Sequence, residues 1–176
     1  MKIKDMTQMT LWLAITIVLA YVPSIPIPFL PVPIVIQNMV FMMMGAFLGA
    51  KRGFLTALLY LFIYATGLLG RGGLAVFFSA SGGYLFSYPF AVLLIGYFFK
   101  RYWSQMTWIK AFAWILLFGV IFINLCGALF MVYYLHLGNL VPILVSCLIY
   151  LPGDIVKAAL AVLIFERLKL FSLLAK

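Results

Sequence analysis

Two ionisable residues lie inside an apolar stretch, where charged groups are rare. Asp154 and Lys157 belong to the segment 151–157, which is otherwise free of charge. Residues three apart project from one face of a helix, so the carboxylate and the ammonium can pair. A charged group at membrane depth costs at least about 2.5 to 3.5 kcal/mol before compensation and marks a functional site by default. The pair is therefore predicted to bind a polar ligand; the alternative is an ion pair that only fixes helix packing.

Three further polar side chains are candidates for contact with that ligand. Arg71 stands between two glycines, and a guanidinium can bind a carboxylate through two parallel hydrogen bonds. Its alternative role is contact with water or with lipid headgroups. Gln37 and Asn124 carry amides in apolar segments, where an amide either meets a ligand or forms a hydrogen bond between helices.

The segment 81–84 is another candidate, and its residues are Ser81, Gly82, Gly83 and Tyr84. No Lys-Ser or Lys-Thr follows, so it does not match a phosphate-binding loop. Its glycines let a helix begin close to a ligand or to another helix, and the tyrosine can stack and form a hydrogen bond. These residues are predicted to line the site.

The sequence favours binding over catalysis. The only histidine, His136, has no second metal ligand near it, and Cys126 and Cys147 lie far apart in apolar runs. A rival interpretation is a small intramembrane enzyme that uses the Asp154–Lys157 pair as acid and base. No second carboxylate, histidine or nucleophile accompanies the pair in any predicted span. We therefore predict no enzyme activity, no catalytic residue, no metal and no cofactor.

The composition indicates that these residues are positioned by helices in lipid. Of 176 residues, 68% are hydrophobic and only 9% are charged, whereas a soluble domain carries about 25% charged residues. Six spans of about 20 residues would use about 120 residues. An ATPase or dinucleotide-binding domain needs about 100 more. We predict a single transmembrane substrate-binding domain over residues 1–176, with any energy-consuming step in another chain.

Apolar runs separated by charge, Gly or Pro predict six transmembrane helices. They lie near 8–25, 34–50, 53–70, 83–99, 111–135 and 140–165. With the N-terminus in the cytoplasm, ten of the twelve Lys and Arg residues fall on the inner side: Lys2, Lys4, Lys51, Arg52, Lys100, Arg101, Lys110, Arg167, Lys169 and Lys176. This pattern follows the positive-inside rule and predicts cytoplasmic termini in a multi-pass protein of the cell membrane. The net charge of +9 is then explained by the membrane topology and by attraction to anionic lipid headgroups. It does not indicate a nucleic-acid partner.

Two loops on the predicted outer side contain helix-breaking residues. The stretch 22–33 is rich in proline, and the stretch 67–83 is rich in glycine. Irregular backbone at membrane depth is tolerated where protein or a water-filled cavity satisfies its polar groups. The two loops are predicted to fold over one cavity that opens to the outside.

Small residues recur four apart on the first span. The pairs are Thr10 with Ala14 and Thr16 with Ala20. This spacing permits close helix contact, either inside the bundle or with a partner subunit.

Several motifs together resemble a known family. They are PVPIVIQ at 31–37, GAKRG at 49–53, GGL at 72–74 with SGGY at 81–84, and PGDIVK at 152–157. In this order they resemble the BioY family, the biotin-binding S components of energy-coupling-factor (ECF) vitamin transporters. The resemblance extends over nearly the whole chain, and the last motif is its most specific part.

The resemblance implies an all-α S-component bundle that takes up biotin from the outer side. It also implies partners: an ECF transmembrane coupling protein and two ABC-type ATPase subunits, a set that other S components can share. In the family, the Asp and Lys of the last motif, here Asp154 and Lys157, help to hold biotin.

The chemistry of biotin matches these residues. Its ureido ring offers two N–H donors and one carbonyl acceptor, and its apolar remainder suits an apolar pocket. Asp154 is expected to accept from the N–H groups, Lys157 to donate to the carbonyl and Arg71 to meet the valerate carboxylate. An S component for a different vitamin remains an alternative, as does a structural or signalling bundle, although the latter leaves the buried charges unexplained.

Overall fold

The described part of the chain is helical. The computed structural model describes residues 2–23, 35–69, 73–136 and 141–174, with side chains over 147–169 in the last range. No strand occurs within these ranges. The α-helices are α1 (Ile3–Ala20), α2 (Asn38–Ala65), α3 (Leu74–Phe77), α4 (Gly82–Arg101), α5 (Trp108–Ile115), α6 (Ile123–Tyr134) and α7 (Val141–Leu174). A 3-10 helix, Trp103–Gln105, follows α4, and a π-helix, Leu116–Phe122, joins α5 to α6.

Most of the helical length is apolar enough to cross a membrane. Among the described residues five helical segments meet that requirement: Ile3–Ala20, Asn38–Ala65, Gly82–Arg101, Trp108–Tyr134 and Cys147–Lys169. The prediction of an all-α membrane protein is confirmed. The cytoplasmic placement of both termini stays a prediction from the charge pattern.

Helix α2 contains a turn at Gly49 that divides it into two arms, residues 38–48 and 50–65. Gly49 has φ 73° and ψ 178°, which is not helical. A Cβ on Gly53 would lie 3.3 Å from the carbonyl oxygen of Met44, whereas nine residues of straight helix rise about 13.5 Å. The second arm therefore folds back onto the first, and the arms correspond to the predicted second and third spans.

Gly49→Ala is expected to lower the free energy of unfolding by about 1–3 kcal/mol, because the backbone angles at Gly49 are adopted almost only by glycine. Gly153→Ala in α7 is the matched control. A Cβ at either position would meet nothing within 4 Å, but Gly153 does not have a positive φ. Alanine in a helix is more stable than glycine by about 0.5–1 kcal/mol. Thermal unfolding in detergent measures both variants, and equal midpoints would contradict backbone strain at Gly49.

Helix α4 packs against both arms of α2 through glycines. A Cβ on Gly45 would lie 2.7 Å from the carbonyl oxygen of Val92, and a Cβ on Gly96 would overlap the backbone of Gly49 and Ala50. The missing side chains therefore allow backbone to approach backbone at two levels of the bundle. This contact holds the Gly49 turn against the last turns of α4.

Helix α1 lies at the edge of the bundle. Thr16 and Ala20 are buried against the other helices, whereas Thr10 and Ala14 are exposed. The side chain of Arg52, just after the α2 turn, forms an ion pair with Asp5 near the start of α1. Of the two small-residue pairs predicted to allow close contact, Thr16 with Ala20 packs inside the bundle, and Thr10 with Ala14 faces outward.

Candidate ligand-binding site

The buried ion pair predicted from the sequence is present on α7. Lys157 Nζ donates to Asp154 Oδ1 at 2.9 Å. The two residues are only 9% and 6% exposed, respectively. One helical turn brings them together, since they are three residues apart. The prediction that they pair on one face of a helix is confirmed.

Asn124 extends this pair across the helix interface. Its Nδ2 donates to Asp154 Oδ2 at 2.9 Å and to the carbonyl oxygen of Val120 at 3.0 Å. Each carboxylate oxygen therefore accepts from a donor among the described residues, and the negative charge of Asp154 is stabilised from two helices. The amide of Asn124 thus forms a hydrogen bond between two helices and also lies beside the predicted ligand site.

The π-helix Leu116–Phe122 ends shortly before Asn124. A π-helical turn holds more residues than an α-helical turn, so it changes the direction in which later side chains point. The backbone of Asn124 is also approached from α7, because Cys147 Sγ lies 3.9 Å from its carbonyl oxygen. These features fix the position of the Asn124 amide against Asp154.

Lys157 keeps hydrogen-bonding capacity for a ligand. An ammonium carries three N–H donors, and Asp154 is its one hydrogen-bond acceptor among the described residues. Each oxygen of a carboxylate can also accept more than one hydrogen bond. The pair therefore presents an acceptor and a donor side by side within a largely apolar bundle.

Tyr84 places a further polar group near the pair. A Cβ on Gly127 would overlap the Tyr84 ring, so the ring lies directly against Gly127 of α6. Gly127 is three residues beyond Asn124 and shares its helix face. The Tyr84 hydroxyl is buried and has no hydrogen-bond partner among the described residues. An unpaired buried hydroxyl costs about 1–3 kcal/mol, which a ligand that bonds to it would recover.

The other residues of the segment 81–84 have packing roles. Ser81 Oγ lies 2.9 Å from Ser79 Oγ in a local hydrogen bond. A Cβ on Gly82 would overlap the carbonyl oxygen of Phe77, and a Cβ on Gly83 would lie 2.9 Å from the carbonyl oxygen of Cys126. These glycines were predicted to allow close approach either to a ligand or to another helix. The structure shows the close approach to another helix.

Gln37 also bonds between helices. Its Nε2 donates to the carbonyl oxygen of Thr16 at 2.9 Å, which ties the start of α2 to α1. Arg71 lies outside the described residues, as do residues 24–33 of the predicted proline-rich loop. Their predicted place over the cavity therefore stays a prediction.

An aromatic cluster was not foreseen as part of the site region. Phe41 stacks on Tyr88 with ring centroids 4.4 Å apart, and Tyr88 donates to Asn38 Oδ1 at 2.7 Å. Tyr84 and Tyr150 belong to the same buried cluster. Tyr150 precedes Asp154 by four residues, and this helical spacing was the available sequence signal.

The arrangement suits recognition of a ligand. A buried acceptor and donor with aromatic residues nearby can bind a compact molecule that has its own donors and acceptors. Among the described residues no group of three His, Cys, Asp or Glu could hold a metal ion. The fold and the site together define a helical membrane protein that binds a small polar ligand.

Comparison with known proteins gives the family. The chain matches the BioY family over residues 1–172 and belongs to it. The resemblance predicted from the sequence is therefore confirmed.

Two relatives and one solved structure are close to this chain. The biotin transporter BioY of Lactococcus lactis subsp. cremoris (strain MG1363) is 38% identical over 96% of this chain and 92% of its own length. The probable biotin transporter BioY of Bacillus subtilis (strain 168) is 36% identical over 92% and 88%. The crystal structure of the S-component for biotin from an ECF-type ABC transporter matches with a TM-score of 0.90 at 38% identity, covering 95% of this chain and 91% of that one. These matches confirm the prediction of an S-component bundle.

Proposed function

We propose that this chain binds biotin from the outer side of the cell membrane and delivers it inward as the S component of an ECF-type transporter. The observation that carries the proposal is the buried Asp154–Lys157 pair, which is bonded at 2.9 Å and lies in a chain of the BioY family. The function predicted from the sequence agrees with that of the biotin transporter BioY of Lactococcus lactis and with that of the S-component for biotin.

In the proposed complex, Asp154 accepts from the ureido N–H groups and Lys157 donates to the ureido carbonyl. Asn124 holds the carboxylate from the neighbouring helix. Arg71 is proposed to meet the valerate carboxylate. Gln37 and the residues Ser81, Gly82 and Gly83 are proposed to shape the pocket through the helix contacts that they make.

Transport is proposed to require partner chains. These are an ECF transmembrane coupling protein and two ABC-type ATPase subunits, and the proposal is supported by the similarity to an S-component from an ECF-type ABC transporter. The outward-facing small residues Thr10 and Ala14 of α1 suit close contact with a partner helix. Biotin is the transported ligand, and no cofactor or enzyme activity is proposed.

Equilibrium binding of labelled biotin to the purified chain in detergent tests the proposal. Saturable binding that unlabelled biotin displaces, and that excess thiamine or riboflavin leaves in place, is the expected result. Displacement by another vitamin with biotin ineffective would assign the chain to a different ligand. Absence of saturable biotin binding by folded protein would refute the proposal.

Tyr84→Phe is expected to weaken biotin binding by about 5- to 10-fold, because the buried hydroxyl has no partner among the described residues and one hydrogen bond contributes about 1 kcal/mol. The thermal midpoint should stay equal or rise, since a buried unpaired hydroxyl is removed. Tyr88→Phe is the matched control: its hydroxyl already bonds to Asn38, so that change should lower the midpoint. Unchanged affinity in Tyr84→Phe would show that this hydroxyl does not touch biotin.

A further inference from the structure

A cavity lies at the end of the bundle that the charge pattern assigns to the cytoplasm. It has a volume of about 720 Å³ and opens between the Gly49 turn of α2 and the last turn of α4. Four cations line it: Lys51, Arg52, Lys100 and Arg101. We call this cavity the basic cleft.

The basic cleft is separate from the candidate biotin site. Its lining residues Phe47 and Trp103 contact the ring of Phe165, with centroids 5.5 and 5.8 Å away. Phe165 lies eleven residues beyond Asp154 on α7, which is a rise of about 16 Å. A ligand of the basic cleft would therefore not compete with one held by Asp154.

The chain has too few carboxylates to neutralise the basic cleft. The full sequence contains three acidic residues. Asp5 pairs with Arg52, and Asp154 pairs with Lys157. The third, Glu166, does not line the cleft.

Lys51, Lys100 and Arg101 are consequently left without a carboxylate partner among the described residues, and all three are exposed. Converging cations of one sign in a cleft raise the local concentration of anions. The positive charge of the cleft therefore favours binding of an anion from outside the chain.

The walls of the basic cleft indicate which kind of anion fits. Tyr97 and Trp103 are half-exposed there, and these residue types concentrate at the level of lipid headgroups. Phe47 and Leu48 add apolar wall next to the cations. The cleft therefore combines cations with apolar surface, which matches a molecule that carries a phosphate on an apolar body.

We propose that the basic cleft binds the phosphate-bearing headgroup of an anionic phospholipid. Lys100 and Arg101 contact the phosphate from α4, and Lys51 contacts it from the α2 turn. Apolar lining residues pack against the glycerol and the first carbons of the acyl chains. Inorganic phosphate shares the charged part of this chemistry but lacks the apolar part, so it binds far more weakly.

Native mass spectrometry of the purified chain in detergent, titrated with phosphatidylglycerol, phosphatidylcholine or inorganic phosphate, tests the proposal. The cleft variant is Lys100→Gln/Arg101→Gln. The matched control, Lys4→Gln/Lys110→Gln, removes the same charge from exposed cations outside the cleft. We expect the cleft variant to lose at least about tenfold in affinity for phosphatidylglycerol, and the control to stay within about twofold.

Three results would overturn the proposal. Equal losses in both variants would mean attraction to general surface charge. Equal affinity for phosphatidylglycerol and phosphatidylcholine would mean that the anionic charge is not recognised. Inorganic phosphate that binds as tightly as phosphatidylglycerol and displaces it would make free phosphate the ligand. If the double variant does not fold, Lys51→Gln, at a third exposed cation of the cleft, is compared with Lys4→Gln, which removes the same charge outside it.

Discussion

Asp154→Asn is expected to lower the affinity for biotin by about 100-fold, or about 2.7 kcal/mol. The carboxylate accepts from Lys157 and Asn124 and is proposed to accept from the ureido N–H groups. An amide of the same shape carries no charge, so the charge-assisted hydrogen bonds are lost. Equilibrium binding of labelled biotin measures the effect, and a loss of less than about threefold would refute the assigned role.

Glu166→Gln is the matched control for Asp154→Asn. Glu166 lies on the same helix, twelve residues later, so the same chemical change is made about 18 Å away. Biotin affinity in this variant should stay within about twofold. A similar loss in both variants would indicate an effect of overall charge.

A double variant separates ligand binding from helix packing. Asp154→Asn alone leaves the Lys157 ammonium buried and unpaired, and breaking a buried pair costs about 3–5 kcal/mol. Asp154→Asn/Lys157→Met removes both charges and should recover stability in thermal unfolding. Its affinity for biotin should stay at least as low as that of Asp154→Asn. If the double variant bound biotin like the unchanged chain, the pair would serve packing alone.

Gly96→Ala is expected to destabilise the protein by about 3 kcal/mol or more, beyond the usual range for a single change. The new Cβ would overlap the backbone of Gly49 and Ala50, and backbone in a packed turn cannot move as a side chain does. The helix propensity of alanine favours the variant by only about 1 kcal/mol. Thermal or denaturant unfolding in detergent measures the difference.

Gly119→Ala is the control for Gly96→Ala. Its Cβ would meet Met42, with 2.6 Å to Cγ. Met42 is a buried side chain that can shift where backbone cannot, so the cost should be smaller, about 1–2 kcal/mol. Equal destabilisation of the two variants would contradict the importance of the contact between α4 and the α2 turn.

Local periodicity accounts for the features that the sequence predicted well. The scarcity of charge required lipid around the chain, because a soluble surface needs far more charged residues. The pairing of Asp154 with Lys157 followed from their spacing, since any helix brings residues three apart onto one face. The motifs identified the family, because they occur in the same order as in the family and extend over most of the chain.

Contacts between distant segments required the tertiary structure. Asn124 and Asp154 are thirty residues apart, and their hydrogen bond depends on how α6 packs against α7. Likewise, Gln37 bonds to Thr16 only because α2 begins beside α1. The amide type of Gln37 or Asn124 predicts a hydrogen bond but not its partner.

The same distinction applies to the glycines and to the basic cleft. The sequence marked glycines as points of close approach, but only the fold placed Gly83 against α6 and Gly96 against the α2 turn. The sequence assigned Lys51 and Lys100 to one side of the membrane, and the fold brought them to one cavity. Helical geometry relates residues that are a few positions apart, so the sequence alone predicts which of them share a face. Packing brings together segments that are far apart in sequence, and their separation along the chain does not predict which residues meet.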